Sequence, residues 1–261
     1  MRSELEFRDK VAIITGASKG LGRAYAFELA ERGAAIVVAD IDGEGAIQVA
    51  AEIVATGGRA VGLKVDVSIE SEVQFMAEEA NRIFGRIDIL INNAAVMFRF
   101  LAEPRRPFWS YTSADWDLVL SVNVKGVWAC SKAVYPFMCA QGSGKIVNIS
   151  SNMAFGSDLP FPAGMCAYTT SKSAVIGLTR VLAGELGPYK ITVNAVAPGV
   201  TQTETVKENI QEDRLSAMMD VQAIKRIAVP ADVVGTVVFL CSESSDFMTG
   251  QTLIVDGGFM C

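Results

Sequence analysis

Histidine is absent from the 261 residues. Without an imidazole there can be no Ser-His-Asp triad, no histidine base and no histidine-ligated zinc site. Cysteine is sparse: Cys130, Cys139, Cys166, Cys241 and Cys261, with no Cys-x-x-Cys pair. That argues against a zinc ribbon or a dithiol redox motif, and no metal is expected. The odd count of five fits reduced thiols better than a disulfide framework, so a cytoplasmic protein is expected. No apolar run approaches the ~18 residues of a membrane span. The first ten residues are charged throughout and lack the apolar segment of a signal peptide. Basic charge is also short, 23 Lys and Arg against 29 Asp and Glu, for a formal net charge of −6. Phosphate neutralisation needs a basic face, so neither nucleic acid nor membrane is expected as a partner.

What is present is an ordinary globular balance, 51% hydrophobic and 20% charged. Apolar runs and helical spacings alternate. Strands are expected at 11–15, 35–39, 60–65, 87–91, 145–149, 191–196 and 252–255. Helices are expected at 23–32, closed by Gly33, and at 45–55, 70–84, 114–140 in two pieces, 167–186 and 231–241. Three stretches interrupt the alternation, at 96–113, 152–166 and 201–229. Strands apolar along their whole length belong to a parallel sheet covered on both faces. The fold class is therefore α/β, a Rossmann-type doubly wound parallel sheet flanked by helices, in a single domain over 1–261. Ligands on such a sheet sit beyond the carboxyl ends of the strands.

The loops after the strands carry the chemistry. The first strand leads into Gly16-Ala17-Ser18-Lys19-Gly20-Leu21-Gly22 and then a helix. Glycines at that spacing let the backbone approach a pyrophosphate, and the helix start offers N–H groups to it. Asp40 ends the second strand, followed by Ile41. A carboxylate there accepts from both ribose hydroxyls and repels a 2′-phosphate, which favours NAD over NADP. Lys19 pulls weakly the other way. A solvated helix cap is the plainer role for Asp40. Asp66, before Val67, could accept from an adenine amino group or cap a turn. Asn92-Asn93-Ala94-Ala95 follows the fourth strand with small residues that suit a close approach or tight packing. Tyr168 and Lys172 stand at i and i+4 on one helix face, where the cation would favour phenolate and lower the tyrosine pKa. That pair offers a general acid/base to a chain without histidine.

Together these residues resemble the short-chain dehydrogenase/reductase family in its single-domain form, over nearly the whole chain. Gly16, Gly20 and Gly22 match its glycine motif. Asn92–Ala95 matches its N-N-A-G segment, with Ala95 in place of the glycine. Asn123, Ser151, Tyr168 and Lys172 match its catalytic set, and Pro198-Gly199 its P-G segment. The resemblance implies that Tyr168 moves the substrate proton and Ser151 orients the substrate. Lys172 would hold the nicotinamide ribose, and Asn123 would kink its helix and hold a water. It also implies cofactor contacts from Ser18, Lys19, Leu21, Asp40, Ile41, Asp66, Val67, Asn93, Ala94, Pro198, Gly199, Thr201 and Thr203. The choice of Ser151 over Ser150 comes from the resemblance, as does an expected homotetramer paired through the long helices near Asn123 and Tyr168. The separation of Ser151 and Tyr168 (168 − 151 = 17) is longer than is usual in the family, and the excess falls in the 152–166 loop.

Met97, Met153 and Phe155 are, with Ser151 and Tyr168, the expected substrate contacts. The variable loops are rich in large apolar side chains, Met218 and Met219 included, which suits an aromatic or alicyclic secondary alcohol or, equally, core packing. Arg99, Arg105 and Arg106 keep open a 3-oxoacyl-thioester or other anionic substrate. A non-catalytic NAD-binding sensor is the remaining reading.

Overall fold

The computed structural model describes residues 6–97, 107–156 and 165–260. Seven parallel strands form the sheet: β1 (Val11–Thr15), β2 (Ala35–Asp40), β3 (Arg59–Lys64), β4 (Ile89–Asn92), β5 (Gly144–Ile149), β6 (Ile191–Pro198) and β7 (Thr252–Val255). Their order across the sheet is β3-β2-β1-β4-β5-β6-β7. The chain winds outward from β1 in one direction and returns to build the other half from β4. The crevice where the order reverses therefore lies beyond the ends of β1 and β4.

Side chains on a strand alternate between faces, and the core divides accordingly. Ala12, Ile14, Ile36, Val38, Ile89, Ile91, Val147 and Ile149 pack on one face. There they meet α1 (Gly20–Glu31), α2 (Gly43–Ala55) and α9 (Pro230–Cys241) through Tyr25, Leu29, Val49, Ile53, Val233 and Val237. Val11, Ile13, Val37, Leu90, Ile146 and Val193 pack on the other. They meet α3 (Glu70–Phe84), α5 (Gly126–Gln141) and α6 (Cys166–Leu186) through Val73, Met76, Val134, Met138 and Leu186. β3 departs from the fully apolar expectation: Arg59 and Lys64 at its ends are exposed, because it is a sheet edge. The helix expected at 114–140 is α4 (Ser113–Leu120), a π turn at Ser121–Lys125, and α5. The 201–229 excursion holds two short helices, α7 (Glu204–Asn209) and α8 (Glu212–Val221).

Asp88 fixes the register of β1 against β4 at the end of the sheet away from the crevice. Its carboxylate is buried and accepts from the Val11 N–H at 2.9 Å and from Arg86 Nε and Nη2 at 2.7 and 2.6 Å. Asp88→Ala would leave that strand N–H and the guanidinium without their acceptor. We expect a loss of about 3 kcal/mol, read from the midpoint of urea unfolding. A loss within about 0.5 kcal/mol would show that solvent replaces the carboxylate.

Candidate active site

β1 runs into Gly16, at a φ of +64°, and a Cβ there would lie 2.7 Å from Ala94 Cα. A Cβ on Gly22 would lie 2.6 Å from Asn93 Nδ2. The loop is thus held from behind by the segment after β4. Asn93 Nδ2 donates to Thr15 O and Gly16 O at 3.0 and 2.8 Å, and Thr15 Oγ1 accepts from the Asn93 and Ala94 N–H groups, each at 3.1 Å. The first turn of α1 has no side-chain cap and no acidic residue. A tight glycine cradle opening on the N–H groups of a helix start fits the pyrophosphate of a dinucleotide.

Asp40 grips this loop. Its Oδ2 accepts from the Ser18 N–H at 2.9 Å and its Oδ1 from the Asp42 N–H at 3.0 Å. It is not the helix cap: Asp42 takes that role for α2, accepting from the Gly45 N–H. Ile41 beside it is largely exposed. Asp66 lies in a turn, with Oδ1 accepting from the Ser68 N–H and hydroxyl at 2.9 and 2.7 Å. Val67 is the next residue, in the same turn. It is buried against Gly126 at the start of α5 and faces the core.

A mostly apolar cavity of 360 Å³ opens beyond the carboxyl ends of the strands. Lys19, Gly20, Leu21, Asn93, Met97, Ser151, Met153, Tyr168, Lys172, Pro198, Gly199, Thr201 and Thr203 all line it. Thr203 also caps α7, its Oγ1 accepting from the Val206 N–H at 3.3 Å. Phe155 sits on the short turn after Ser151, is 43% exposed and is not among the described residues that line the cavity. Arg99, Arg105 and Arg106 lie outside the described residues. Val206, Ile210, Gln222, Phe259 and Met260 line the cavity as well and had no signal in the motifs. Phe259 and Met260 follow a strand end, where ligands of this fold sit.

Tyr168 and Ser151 are joined by a side-chain hydrogen bond, and both are buried. Ser150, its neighbour on the extended chain, turns away and donates from Oγ to Lys172 O at 2.8 Å. Lys172 is buried, its Nζ donates to Ile149 O at 2.7 Å, and it stands 5.6 Å from the Tyr168 ring centroid. Burial pushes the Tyr168 hydroxyl up to about 12, against the Ser151 hydrogen bond, which favours phenolate. Burial thus outweighs the lowering expected beside Lys172, and the net shift is upward. The ammonium lies by the ring and gives one of its three protons to a carbonyl, and burial pulls its own pKa down to about 8.

Asn123 is buried in the π turn and does not line the cavity. Its Oδ1 accepts from the Val96 N–H at 2.8 Å, and its Nδ2 donates to Val96 O and Ser171 Oγ at 3.2 and 3.0 Å. Ser171 Oγ in turn donates to Tyr168 O at 2.6 Å. The amide ties the exit of β4 to the turn of α6 that carries Tyr168 and Lys172. Both amide protons are donated inside the protein, so the side chain tethers these segments.

A family model described as enoyl-(acyl carrier protein) reductase matches residues 16–260. The (2S)-[(R)-hydroxy(phenyl)methyl]succinyl-CoA dehydrogenase subunit BbsD of Thauera aromatica is 38% identical, over 96% of each chain. The cis-4-hydroxycyclohexanecarboxylate dehydrogenase of Sinomonas cyclohexanicum is also 38% identical, over 97% of each. A short-chain type dehydrogenase/reductase from Mycobacterium marinum superimposes with a TM-score of 0.90 at 31% identity, covering 99% of this chain and 98% of its own. The chain belongs to the short-chain dehydrogenase/reductase family. Members of that family are oxidoreductases that bind nicotinamide cofactors, act on small molecules and are commonly oligomeric. No described helix is long and apolar enough to cross a membrane. No group of three metal-ligating side chains occurs among the described residues.

Proposed function

We propose that this short-chain dehydrogenase/reductase interconverts an apolar, ring-bearing secondary alcohol and its ketone, using NAD. The observation that carries the reading is the hydrogen-bonded Tyr168 and Ser151 pair, one helical turn from Lys172, in the wall of a mostly apolar cavity. Met97 and Met153 in the same wall suit an apolar ring. The names of two relatives point the same way, one to a phenyl carbinol and one to a cyclohexane ring alcohol.

The residues divide the work as follows. The backbone of Gly16, Ser18, Lys19, Gly20, Leu21 and Gly22 would hold the pyrophosphate, and Asp40 with Ile41 the adenosine ribose. Asp66 and the Val67 backbone would flank the adenine. Asn93, Ala94, Pro198, Gly199, Thr201 and Thr203 would line the nicotinamide half, with Lys172 on its ribose. The bound cofactor supplies the hydride acceptor in oxidation and the donor in reduction. The substrate oxygen sits between the Ser151 and Tyr168 hydroxyls. Tyr168, as phenolate, takes the alcohol proton as the carbinol C–H bond breaks. In reduction its O–H bond breaks toward the carbonyl oxygen. Ser151 donates to that oxygen while negative charge develops on it. Asn123 acts through Ser171 and Val96 as a positioning residue.

The test is NADH formation from aromatic, alicyclic and acidic secondary alcohols, with NAD and NADP side by side. Turnover of a ring alcohol with NAD supports the reading, and tight NAD binding with no turnover across the panel overturns it in favour of a sensor. Acyl-thioester alcohols belong in the panel, because the substrate named for the Thauera aromatica relative carries both a phenyl carbinol and a CoA thioester, and the family model is described by an acyl-carrier substrate. Preference for a thioester would move the substrate to that anionic class. Asp40→Asn removes a carboxylate that would face a 2′-phosphate while retaining an oxygen for the Ser18 N–H. We expect it to narrow the NAD over NADP preference in kcat/KM by about tenfold or more. An unchanged ratio would take Asp40 out of cofactor choice.

We further propose a cytoplasmic homotetramer paired through α5 and α6, whose surfaces leave Trp128 and Val181 part-exposed. Light scattering should return four times the 27.9 kDa chain mass. A monomer would leave those apolar side chains in water and overturn the assembly.

A further inference from the structure

We infer that Phe259 and Met260, on the segment that leaves β7, form one wall of the substrate cavity and set substrate size, and that Asp256 is the positioning residue that holds this wall. The inference rests on the reading of this cavity as the substrate site. β7 is the edge strand opposite β3, and the chain turns back from it through Gly257 and Gly258, at φ values of +67° and +75°. That turn brings Phe259 and Met260, both part-buried, to the cavity.

The wall is fastened on two sides. Asp256 is buried, and its Oδ1 accepts from the Gly258 and Phe259 N–H groups at 3.1 and 3.2 Å. Its Oδ2 accepts from Asn152 Nδ2 at 3.4 Å, and Asn152 directly follows Ser151. On the other side Gln222 Nε2 donates to Asp256 O at 3.1 Å, and the Ile224 and Ala223 N–H groups donate to Gly257 O and Gly258 O at 2.9 and 3.3 Å. A Cβ at Gly257 would lie 2.7 Å from Gln222 Nε2, so the two segments are in close contact. The backbone of the wall is therefore fixed to the exit of β5 and to the segment after α8. Its two side chains are large and apolar, and offer a substrate surface without a charge. They limit the ring that fits, while Ser151, Tyr168 and Lys172 carry the chemistry.

The experiment compares wild type with Phe259→Ala, Met260→Ala, Asp256→Ala and Asp256→Asn. Cyclohexanol, 1-phenylethanol and 1-(2-naphthyl)ethanol are oxidised with NAD, and NAD affinity is read by fluorescence titration. Phe259→Ala and Met260→Ala are expected to raise KM for the two smaller alcohols about tenfold and shift preference toward the naphthyl alcohol. Their kcat should stay within about threefold, and NAD affinity should not change. Asp256→Ala should reproduce the KM pattern, and Asp256→Asn, which keeps an oxygen for both N–H groups, should restore the wild-type order. An unchanged order of preference in Phe259→Ala and Met260→Ala overturns the wall. A lowered melting temperature in Asp256→Ala with the wild-type KM order overturns the positioning role. A wild type that binds NAD but oxidises none of the three overturns the proposed function, and the wall with it.

Discussion

Replacing Tyr168 with Phe should cut alcohol oxidation by about 10²–10⁴-fold, the usual worth of a positioned acid/base. The substitution removes one oxygen and keeps the ring in its buried niche, so NAD affinity should stay within about twofold. The pH profile gives a second readout, with its sign set by burial. The hydroxyl is pushed up to about 12, so near neutrality it is almost wholly protonated. Oxidation needs the phenolate, and that fraction rises about tenfold per pH unit below the pKa. Oxidation should therefore climb from pH 7 toward 9, while reduction, which uses the abundant phenol, stays flat or falls. In the Phe variant the slope should vanish. A variant that keeps more than a tenth of the wild-type rate, with the slope intact, would mean that another group moves the proton.

Ser151→Ala should lower kcat/KM by about 10²–10³-fold, the cost of one donor to a developing oxyanion. Ser150→Ala is the internal control. The two serines are adjacent on extended backbone and point opposite ways. Ser151 meets Tyr168 in the cavity, whereas the Ser150 hydroxyl donates to the backbone oxygen of Lys172. Loss of that single hydrogen bond should cost about 1 kcal/mol of stability and leave activity within about threefold. Equal losses in both variants would point to a general loosening of the β5 exit, and a larger loss in Ser150→Ala would reverse the assignment. Thermal melts of both variants separate stability from chemistry.

The fold was legible because its signals are local. The alternation of apolar runs with helical spacings marked all seven strands, and Gly33 marked the end of α1. Differences concentrate where local pattern is silent. The π turn at Ser121–Lys125 carries no composition of its own; it coincides with Asn123, whose amide bonds to Val96 and Ser171 on two other segments. Phe155 was assigned by loop membership, but a loop says little about which side chains turn inward. Val67 goes with its neighbour Asp66 in the sequence, but it lies in the turn after β3, where its side chain packs against Gly126 in the core.

By itself the sequence determined the class of sheet, the glycine loop at the end of β1, and the pairing of Tyr168 with Lys172. Each depends on neighbours a few residues apart, where backbone periodicity alone decides which side chains share a face. Only the tertiary structure brought Ser151 to Tyr168, put the Asp40 carboxylate on the Ser18 N–H, and carried Phe259 and Met260 from the sheet edge to the cavity. It also decided the electrostatics. A lysine at i+4 in water would favour phenolate, but here both groups are buried, and desolvation raises the tyrosine and lowers the lysine. Desolvation depends on everything packed around a group, and that is set by the fold as a whole rather than by the spacing of two residues along a helix.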